Sequence, residues 1–324
     1  MGRYILKKKI AIFVNSNDKI GLGHIYRCIN FVNIFKKKLK IFFFVDKKSS
    51  ILKYPSYIFN KKQKNLIQID ELLKKNNCKN ILFDIDNKLN SKKELSNIYN
   101  FFIQKNYKTI CWDNLKNINT KFSFIYRPYP KKTFNNSKIY KQKKIIGTEF
   151  FFYKIKKKFV YRKKIQRIAI QLGGTKNLET IKILINYFKK YKDIKIYFFV
   201  KNTIEINFLN SCKIKNLKIF KNSNFSNYAD CLDFLISSGG MTKYESSSIN
   251  LPSLAICLDQ FQFNLNKNLN MKYGFLISKK KDAIKKLNLI IADEEVRLKL
   301  YKNAKKNFNN FTNDSIKKIY GILK

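Results

Sequence analysis

Ile20-Gly21-Leu22-Gly23-His24-Ile25-Tyr26-Arg27-Cys28 carries the single histidine of a 324-residue chain at the point where a strand pattern gives way to a helix pattern. Upstream, Lys9-Ile10-Ala11-Ile12-Phe13-Val14 is a short apolar run closed by the polar Asn15-Ser16-Asn17-Asp18, as a buried strand requires. Downstream, Ile25, Cys28 or Ile29, Val32 and Phe35 recur at helical spacing, and Lys36-Lys37-Lys38 sets positive charge where a helix C-terminus favours it. Gly21 and Gly23 then occupy the turn, where missing β-carbons admit a ligand close to the backbone. His24 starts the helix and Arg27 lies one turn on, along the same face. A histidine so placed suits the role of a neutral base that takes a proton from water. Equally, His24 can be a plain helix cap and the glycines a plain turn, since short glycine motifs recur by chance.

The rest of the chain alternates in the same way. Ile41-Phe42-Phe43-Phe44-Val45 is a second strand, a helical stretch runs from about Ile69 to Asn76, and Asn80-Ile81-Leu82-Phe83-Asp84-Ile85-Asp86 is an apolar strand ending in carboxylates. A helix near Lys92 to Gln104 precedes Thr109-Ile110-Cys111-Trp112-Asp113-Asn114. Strands separated by helices of this length predict a parallel sheet covered on both faces. In such a sheet ligands bind beyond the carboxyl ends of the strands, where His24, Asp84, Asp86 and Asp113 would gather. Each aspartate taken alone reads more simply as a helix cap or a solvated strand end.

From about Lys154 to Lys164 the chain is almost entirely Lys, Arg and aromatic residues and reads as a linker. Arg167-Ile168-Ala169-Ile170-Gln171-Leu172-Gly173-Gly174-Thr175, followed by a helical pattern from Leu178 to Lys189, then repeats the opening plan, Ile10-Ala11-Ile12 against Ile168-Ala169-Ile170. The repetition predicts two doubly wound Rossmann-like α/β domains facing a central cleft, residues 1–160 and 161–324, with the last helices crossing back onto the first. Further strands are expected at Ile194 to Val200, Leu217 to Phe220, Phe234 to Ser237 and Leu254 to Leu258, and helices at Glu294 to Lys305 and Asp314 to Leu323. Lys279-Lys280-Lys281 reads as a solvated loop. In Ile236-Ser237-Ser238-Gly239-Gly240-Met241-Thr242-Lys243-Tyr244-Glu245, Gly239 and Gly240 are expected to leave amides free at a helix start for a diphosphate. Glu245, a turn on, is placed to accept hydrogen bonds from a ribose diol, or is a surface glutamate after a Gly-Gly turn.

Composition bounds these readings. Hydrophobic residues make up 45% of the chain, enough for two packed cores, and disorder is disfavoured. The net charge of +47 comes from lysines dispersed through every segment, not from one basic stripe, so nucleic-acid binding is disfavoured. A basic surface does concentrate an anionic small substrate. Cys28, Cys78, Cys111, Cys212, Cys231 and Cys257 form no Cys-x-x-Cys pair and read as reduced thiols of a cytoplasmic protein. Neither a membrane span nor a signal peptide is expected, peripheral membrane contact stays open, and a monomer is expected.

Gly21-Leu22-Gly23-His24-Ile25-Tyr26-Arg27, then Gly173-Gly174-Thr175, then Gly239-Gly240-Met241-Thr242-Lys243-Tyr244-Glu245, with Leu251-Pro252 and Gln262 in order, resemble the UDP-sugar hydrolase family of pseudaminic acid biosynthesis. That group is related to spore-coat polysaccharide proteins and to GT-B glycosyltransferases. The resemblance implies a GT-B fold and metal-independent, cofactor-free release of UDP from UDP-2,4-diacetamido-2,4,6-trideoxy-β-L-altropyranose by water. It implies His24 as base, with Gly21, Gly23, Arg27, Gly173, Gly174, Thr175, Gly239, Gly240, Thr242, Glu245 and Gln262 holding the substrate. Departures stand at Phe13-Val14-Asn15, Asp113-Asn114 and Phe261, where the family tends to carry Arg-x-Asp, a paired acid and Asn. The chemistry is coherent with one base: glycosidases flank a poor leaving group with two carboxyls, whereas a diphosphate leaves as a stable anion that amides and cations can support. A GT-B transferase passing the sugar to an acceptor, and a non-catalytic nucleotide-sugar binder, are the alternatives.

Overall fold

A computed structural model of the protein describes residues 7–16, 23–49, 51–85, 90–113, 118, 120–130, 143–155, 157–173, 177–200 and 202–323. These divide into two compact units. The first comprises the described residues of Met1–Tyr129, Asn135–Phe152 and Phe311–Lys324, and the second comprises those of Pro130–Phe134 and Tyr153–Asn310.

The first unit opens with β1 (Lys8–Val14), α1 (Gly23–Phe35), β2 (Leu39–Val45), β3 (Ser56–Ile58), α2 (Gln63–Lys75) and β4 (Asn80–Asp84). It continues with α3 (Lys92–Gln104), β5 (Lys108–Trp112), β6 (Phe124–Arg127) and β7 (Lys144–Ile146). Its seven strands are all parallel, in the order β3-β2-β1-β4-β5-β6-β7, so the order reverses between β1 and β4. The period-two alternation of a strand sorts β1 between two cores. Ile10, Ile12 and Val14 pack with Ile25, Cys28, Val32 and Phe35 of α1. Ala11 and Phe13 face the other layer, with Leu66 and Ile69 of α2 and Leu95, Ile98 and Phe102 of α3. Cover on both faces is why the strands read as unbroken apolar runs.

The second unit carries β8 (Arg167–Gln171), α4 (Leu178–Phe188), β9 (Lys195–Val200), α5 (Thr203–Ser211), β10 (Leu217–Lys221) and β11 (Phe234–Ser238). After these come α6 (Thr242–Ser248), β12 (Ser253–Cys257), α7 (Gln260–Asn266), β13 (Phe275–Lys279), α8 (Ala283–Ala292) and α9 (Glu294–Asn307). The six strands are again all parallel, in the order β10-β9-β8-β11-β12-β13, with the reversal between β8 and β11. The repeated Ile-Ala-Ile strands, β1 and β8, thus hold the same position in their respective sheets. The final helix, α10 (Asn313–Ile322), belongs to the first unit. Its Ile319 joins the core around Ile10, and Asn80 Nδ2 donates to the Leu323 carbonyl at 3.3 Å.

Several elements differ from the sequence reading. Short strands β3, β6 and β7, and α5, β13 and α8, were not anticipated from the sequence. The lysine run of 279–281 is no loop: Lys279 closes β13, and Lys280 sits in a 3-10 turn where it pairs with Glu179. Phe13 is a fully buried hub whose ring lies 4.8 Å from Phe44, 5.4 Å from Phe59, 5.2 Å from Phe83 and 5.1 Å from Phe102. Phe261, by contrast, is 46% exposed on α7.

Phe13→Ala therefore costs about 3–5 kcal/mol, and Phe261→Ala costs under about 0.5 kcal/mol. Midpoints of urea unfolding for the two variants give the comparison, and equal midpoints would contradict the packing described.

Candidate functional site

Both sheets expose a candidate site at the carboxyl end of the strands where the order reverses, the place at which an open α/β sheet leaves a crevice. In the first unit α1 follows β1 and places His24 in its opening turn, while β4 ends at Asp84. His24 Nδ1 lies 2.7 Å from Asp84 Oδ1. Burial alone would raise the Asp84 carboxyl, but the Arg27 guanidinium and His24 beside it hold it well below the ordinary carboxylate range. An ionised carboxylate only accepts, so the proton of this bond sits on Nδ1, and in the neutral imidazole the lone pair is then at Nε2. The His24 side chain is 23% exposed against 1% for Asp84, which leaves the ring reachable and its partner sealed.

Arg27 is the centre of this arrangement. Its Nε donates to Asp84 Oδ2 at 2.7 Å and its Nη2 to Asp84 Oδ1, a forked pairing of the kind that fixes a carboxylate in orientation as well as charge. Nη1 donates to Asp113 Oδ2 at 2.8 Å and to the Tyr129 hydroxyl at 2.5 Å. The guanidinium carbon lies 4.8 Å from the centre of the Trp112 ring, whose Nε1 donates to the same Tyr129 hydroxyl at 3.1 Å. Against burial, the Asp84 carboxylate, the Tyr129 hydroxyl and the Asp113 carboxyl push Arg27 further above its already high value. Cys28 Sγ donates to Asp84 Oδ2 at 3.3 Å.

Two sequence expectations change here. Asp84 and Asp113 are neither caps nor solvated strand ends; both are buried ion-pair partners. The Arg27 fork is turned onto the carboxylate behind His24. Asp113 has left-handed backbone, φ 71°, and its carboxyl is pushed up by burial and by the Asp84 charge in spite of Arg27. Gly23 is the first residue of α1, and a β-carbon there would meet nothing within 4 Å. Gly21, Asp86, Gly174 and Thr175 lie outside the described residues. Asn15, at a family departure, is buried and donates to Asp46 at 2.9 Å. Trp112 and Tyr129 were missed as site residues; the β-favouring run Phe124-Ile125-Tyr126, shortly before Pro128, was the available signal for the strand that delivers Tyr129.

In the second unit Gly173 follows β8 with φ 92°, a conformation that suits glycine. The two glycines after β11 turn out to be unlike. The Gly239 N–H is not free, because it donates to the Ile256 carbonyl at 3.1 Å. A β-carbon on Gly239 would sit 2.9 Å from Gln262 Oε1 and 3.0 Å from Cys257 Sγ, so a side chain there would press on both neighbours. Gln262 in turn accepts from the Leu258 N–H at 3.1 Å. Thr242 begins α6 and is buried, while Glu245, half-buried one turn on, helps burial to push up the Tyr153 phenol.

Lys243, quoted above only as part of the motif, folds inward. Its Nζ donates to the Gly239 carbonyl at 2.8 Å and the Gly240 carbonyl at 2.5 Å, and lies 4.0 Å from the centre of the Tyr244 ring. Since the peptides are trans and planar, holding these two carbonyls on the inner side turns the N–H groups of Gly240 and Met241 to the other. Burial brings the Lys243 ammonium down to about 7, with the Cys257 sulfur opposing the shift.

Among the described residues no group of three or more His, Cys, Asp or Glu is placed to hold a metal ion, and no helix is long and apolar enough to cross a membrane.

No protein-family model matches the chain. The uncharacterized protein MJ1062 of Methanocaldococcus jannaschii is 25% identical over 318 residues, which cover 83% of this chain and 62% of that protein, less than two thirds of its length. Among solved structures, Acinetobacter baumannii MurG matches with a TM-score of 0.67 at 11% identity, over 98% of this chain and 99% of that one. The spinosyn rhamnosyltransferase SpnG complexed with thymidine diphosphate matches at 0.66 and 9% identity, over 97% and 100% of the two chains. A Staphylococcus aureus MnaA structure with UDP matches at 0.62 and 11% identity, over 97% and 95%. At such identities the likeness is one of fold: the two parallel-sheet, Rossmann-like units are those of the GT-B glycosyltransferases, as the sequence led us to expect.

Lys243 generates a pH prediction. Between about pH 7 and the ordinary lysine value near 10.4 the unfolded chain binds one proton more than the folded one, so stability rises with pH by up to about 1.4 kcal/mol per unit. Lys243→Met abolishes that contribution. Urea titrations from pH 6 to 10 should show wild type gaining on the variant above pH 7, and parallel curves would contradict a depressed lysine.

Proposed function

We propose that the protein is a nucleotide-sugar enzyme that releases UDP from a UDP-linked 2,4-diacetamido-2,4,6-trideoxyhexose, with water as the attacking group. The observation that carries this reading is the 2.7 Å contact of His24 Nδ1 with Asp84, which leaves Nε2 as the basic atom at the reversal point of the first sheet. Water attacks C1 of the sugar as the bond from C1 to the UDP oxygen breaks. UDP departs with the electron pair and the water proton passes to His24 Nε2. Asp84 faces the positive charge that then develops on the ring, in the manner of the buried acid of a hydrolytic triad. Arg27, backed by the Trp112 ring, keeps Asp84 in place.

The nucleotide falls to the second unit. Gly173, Gly240, Thr242, Glu245 and Gln262 supply a short-backbone approach, amides and a ribose acceptor, with Gly174 and Thr175 beside them in sequence. UDP and thymidine diphosphate in the MnaA and SpnG structures support a nucleoside diphosphate as ligand for this fold. The same base serves a transferase if an acceptor hydroxyl replaces water. The likeness to MurG and to a rhamnosyltransferase is the observation in favour of that second reading. With a net charge of +47, the protein also draws an anionic sugar nucleotide from solution.

Purified protein in EDTA, without acceptor, is expected to release UDP from UDP-2,4-diacetamido-2,4,6-trideoxy-β-L-altropyranose. His24→Ala lowers the rate by roughly 10² to 10⁴, and Asp84→Asn lowers it while leaving UDP binding intact. Release that appears only when an acceptor is added would select the transferase, and wild-type turnover by His24→Ala would remove His24 as the base.

A further inference from the structure

The two buried carboxyls that share Arg27 are not bonded alike. Both oxygens of Asp84 are engaged: Oδ1 by His24 Nδ1 at 2.7 Å and by Arg27 Nη2, Oδ2 by Arg27 Nε at 2.7 Å and by Cys28 Sγ at 3.3 Å. Asp113 takes its side-chain bonds on one oxygen. Oδ2 accepts from Arg27 Nη1 at 2.8 Å and from the Tyr129 hydroxyl at 3.4 Å, while Oδ1 is buried and has no hydrogen-bond partner among the described residues. An ionised carboxylate offers about four lone-pair sites, and a buried charge short of donors is far more costly than a buried neutral group. The donors thus gather on Asp84 and leave half of Asp113 bare, which separates the charged member of the pair from the uncharged one.

The charges around Asp113 act in the same direction. Arg27 of α1 reaches its carboxyl with Nη1 alone, the fork of the guanidinium being turned onto Asp84. Arg127 of β6 also faces Asp113, but its Nε donates to the main-chain carbonyl at 2.8 Å. Tyr126 and Tyr129, from the same stretch, bring no positive charge, and Asp84 of β4 brings a negative one. Burial and the Asp84 charge outweigh both guanidiniums and push the Asp113 carboxyl up, whereas Asp84 is held low. Neighbouring carboxyls driven apart in this way take different protonation roles. The backbone fixes the arrangement: Asp113 sits at φ 71°, and its N–H donates to the Tyr126 carbonyl at 3.0 Å.

We infer that Asp113 is a positioning residue that works as an uncharged carboxylic acid at neutral pH: Oδ2 holds Arg27 Nη1, the proton stays on Oδ1, and the guanidinium charge is left whole for Asp84, the carboxylate that orients His24. The inference rests on the reading of His24 as base and deepens it. An ionised Asp113 would give one guanidinium two carboxylates, and the surplus negative charge would draw a proton onto the ring that has to accept one. With the proton on Asp113 the cluster is balanced and the ring is left to the reaction.

The test compares wild type, Asp113→Asn and Asp113→Ala, with melting curves for all three. Asparagine is an uncharged isostere that keeps an oxygen for Arg27 Nη1 and tolerates left-handed backbone; alanine offers neither. Asp113→Ala should slow UDP release roughly tenfold or more, as for a lost hydrogen bond to a charged group, and Asp113→Asn should recover most of that loss with the pH profile of wild type. Urea unfolding of wild type and Asp113→Asn from about pH 4 to 7 reads the proton without turnover. Over that range the unfolded chain has released the Asp113 proton that the folded chain keeps, so wild type should fall behind the variant by up to about tenfold in the folding constant per pH unit. Wild type that gains on the variant or keeps level with it overturns the uncharged acid. A folded Asp113→Asn protein as slow as Asp113→Ala, or one whose pH profile is displaced from wild type, overturns the positioning role, and this second criterion stands even where Asp113→Ala does not fold. Wild type that releases no UDP overturns the proposed function and the positioning role with it, while the urea series still decides the proton on Asp113.

Discussion

The buried pairing of Arg27 with Asp84 is the constraint from which the first site takes its form. Taking a guanidinium and a carboxylate out of water costs several kcal/mol per ion, and such a pair repays this only where its remaining donors and acceptors are satisfied. Arg27 meets that condition by addressing the ends of adjacent strands at once: Asp84 closes β4, Asp113 follows β5, and Tyr129 follows β6. One side chain of α1 thereby fixes the carboxyl ends of three neighbouring strands, with Trp112 against its face. Asp84 is what remains to hold His24. The imidazole is oriented by a carboxylate that is itself unable to move, which is the condition for a lone pair to wait in one direction.

Topology is shared between the two units and chemistry is not. Each sheet reverses beside its Ile-Ala-Ile strand, but the first reversal point is backed by two buried carboxyls and the second by a lysine and a hydroxyl. At the first reversal point the Arg27 guanidinium is spent on both carboxyls, so neither those carboxyls nor that cation is offered to a ligand. At the second the lysine is likewise consumed, by the Gly239 and Gly240 carbonyls, and what it turns outward is amide hydrogen. On the function proposed above, the base belongs with the first arrangement and the leaving diphosphate with the second.

Long apolar strands and capped helices were legible in the sequence because their signals are local. The α3 helix was read to the residue, since Ser91 and Glu94 form a reciprocal cap at its start and Asn106 takes left-handed backbone just past its end. Three-residue strands such as β3 and β7 carry too few residues for a period to emerge, and β13 was hidden by the lysines that close it. The site divides along the same line. His24 stood out as a unique residue in a turn, whereas its contact with Asp84 joins positions 60 apart, and an aspartate at a strand end looks the same whether it caps, solvates or pairs. Two adjacent glycines are likewise identical as letters; the walls at Gln262 and Cys257 on one side and the hydroxyl of Ser238 on the other are what separate them.

The charge of the chain acts at a different range from its sites. Of 68 lysines and arginines, the two that stand within the motifs, Arg27 and Lys243, both turn inward, onto carboxylates in one case and carbonyls in the other. The dispersed surface lysines act through a field that salt screens over about 8 Å, and such a field governs the rate at which an anion arrives more than how it is held. Holding falls to neutral donors at contact distance, whose bonds salt barely weakens. On the function proposed above, a strongly basic protein with neutral contact groups collects anions broadly and still selects among them, because a ribose acceptor and two oriented amides answer to shape and hydrogen bonding and not to charge.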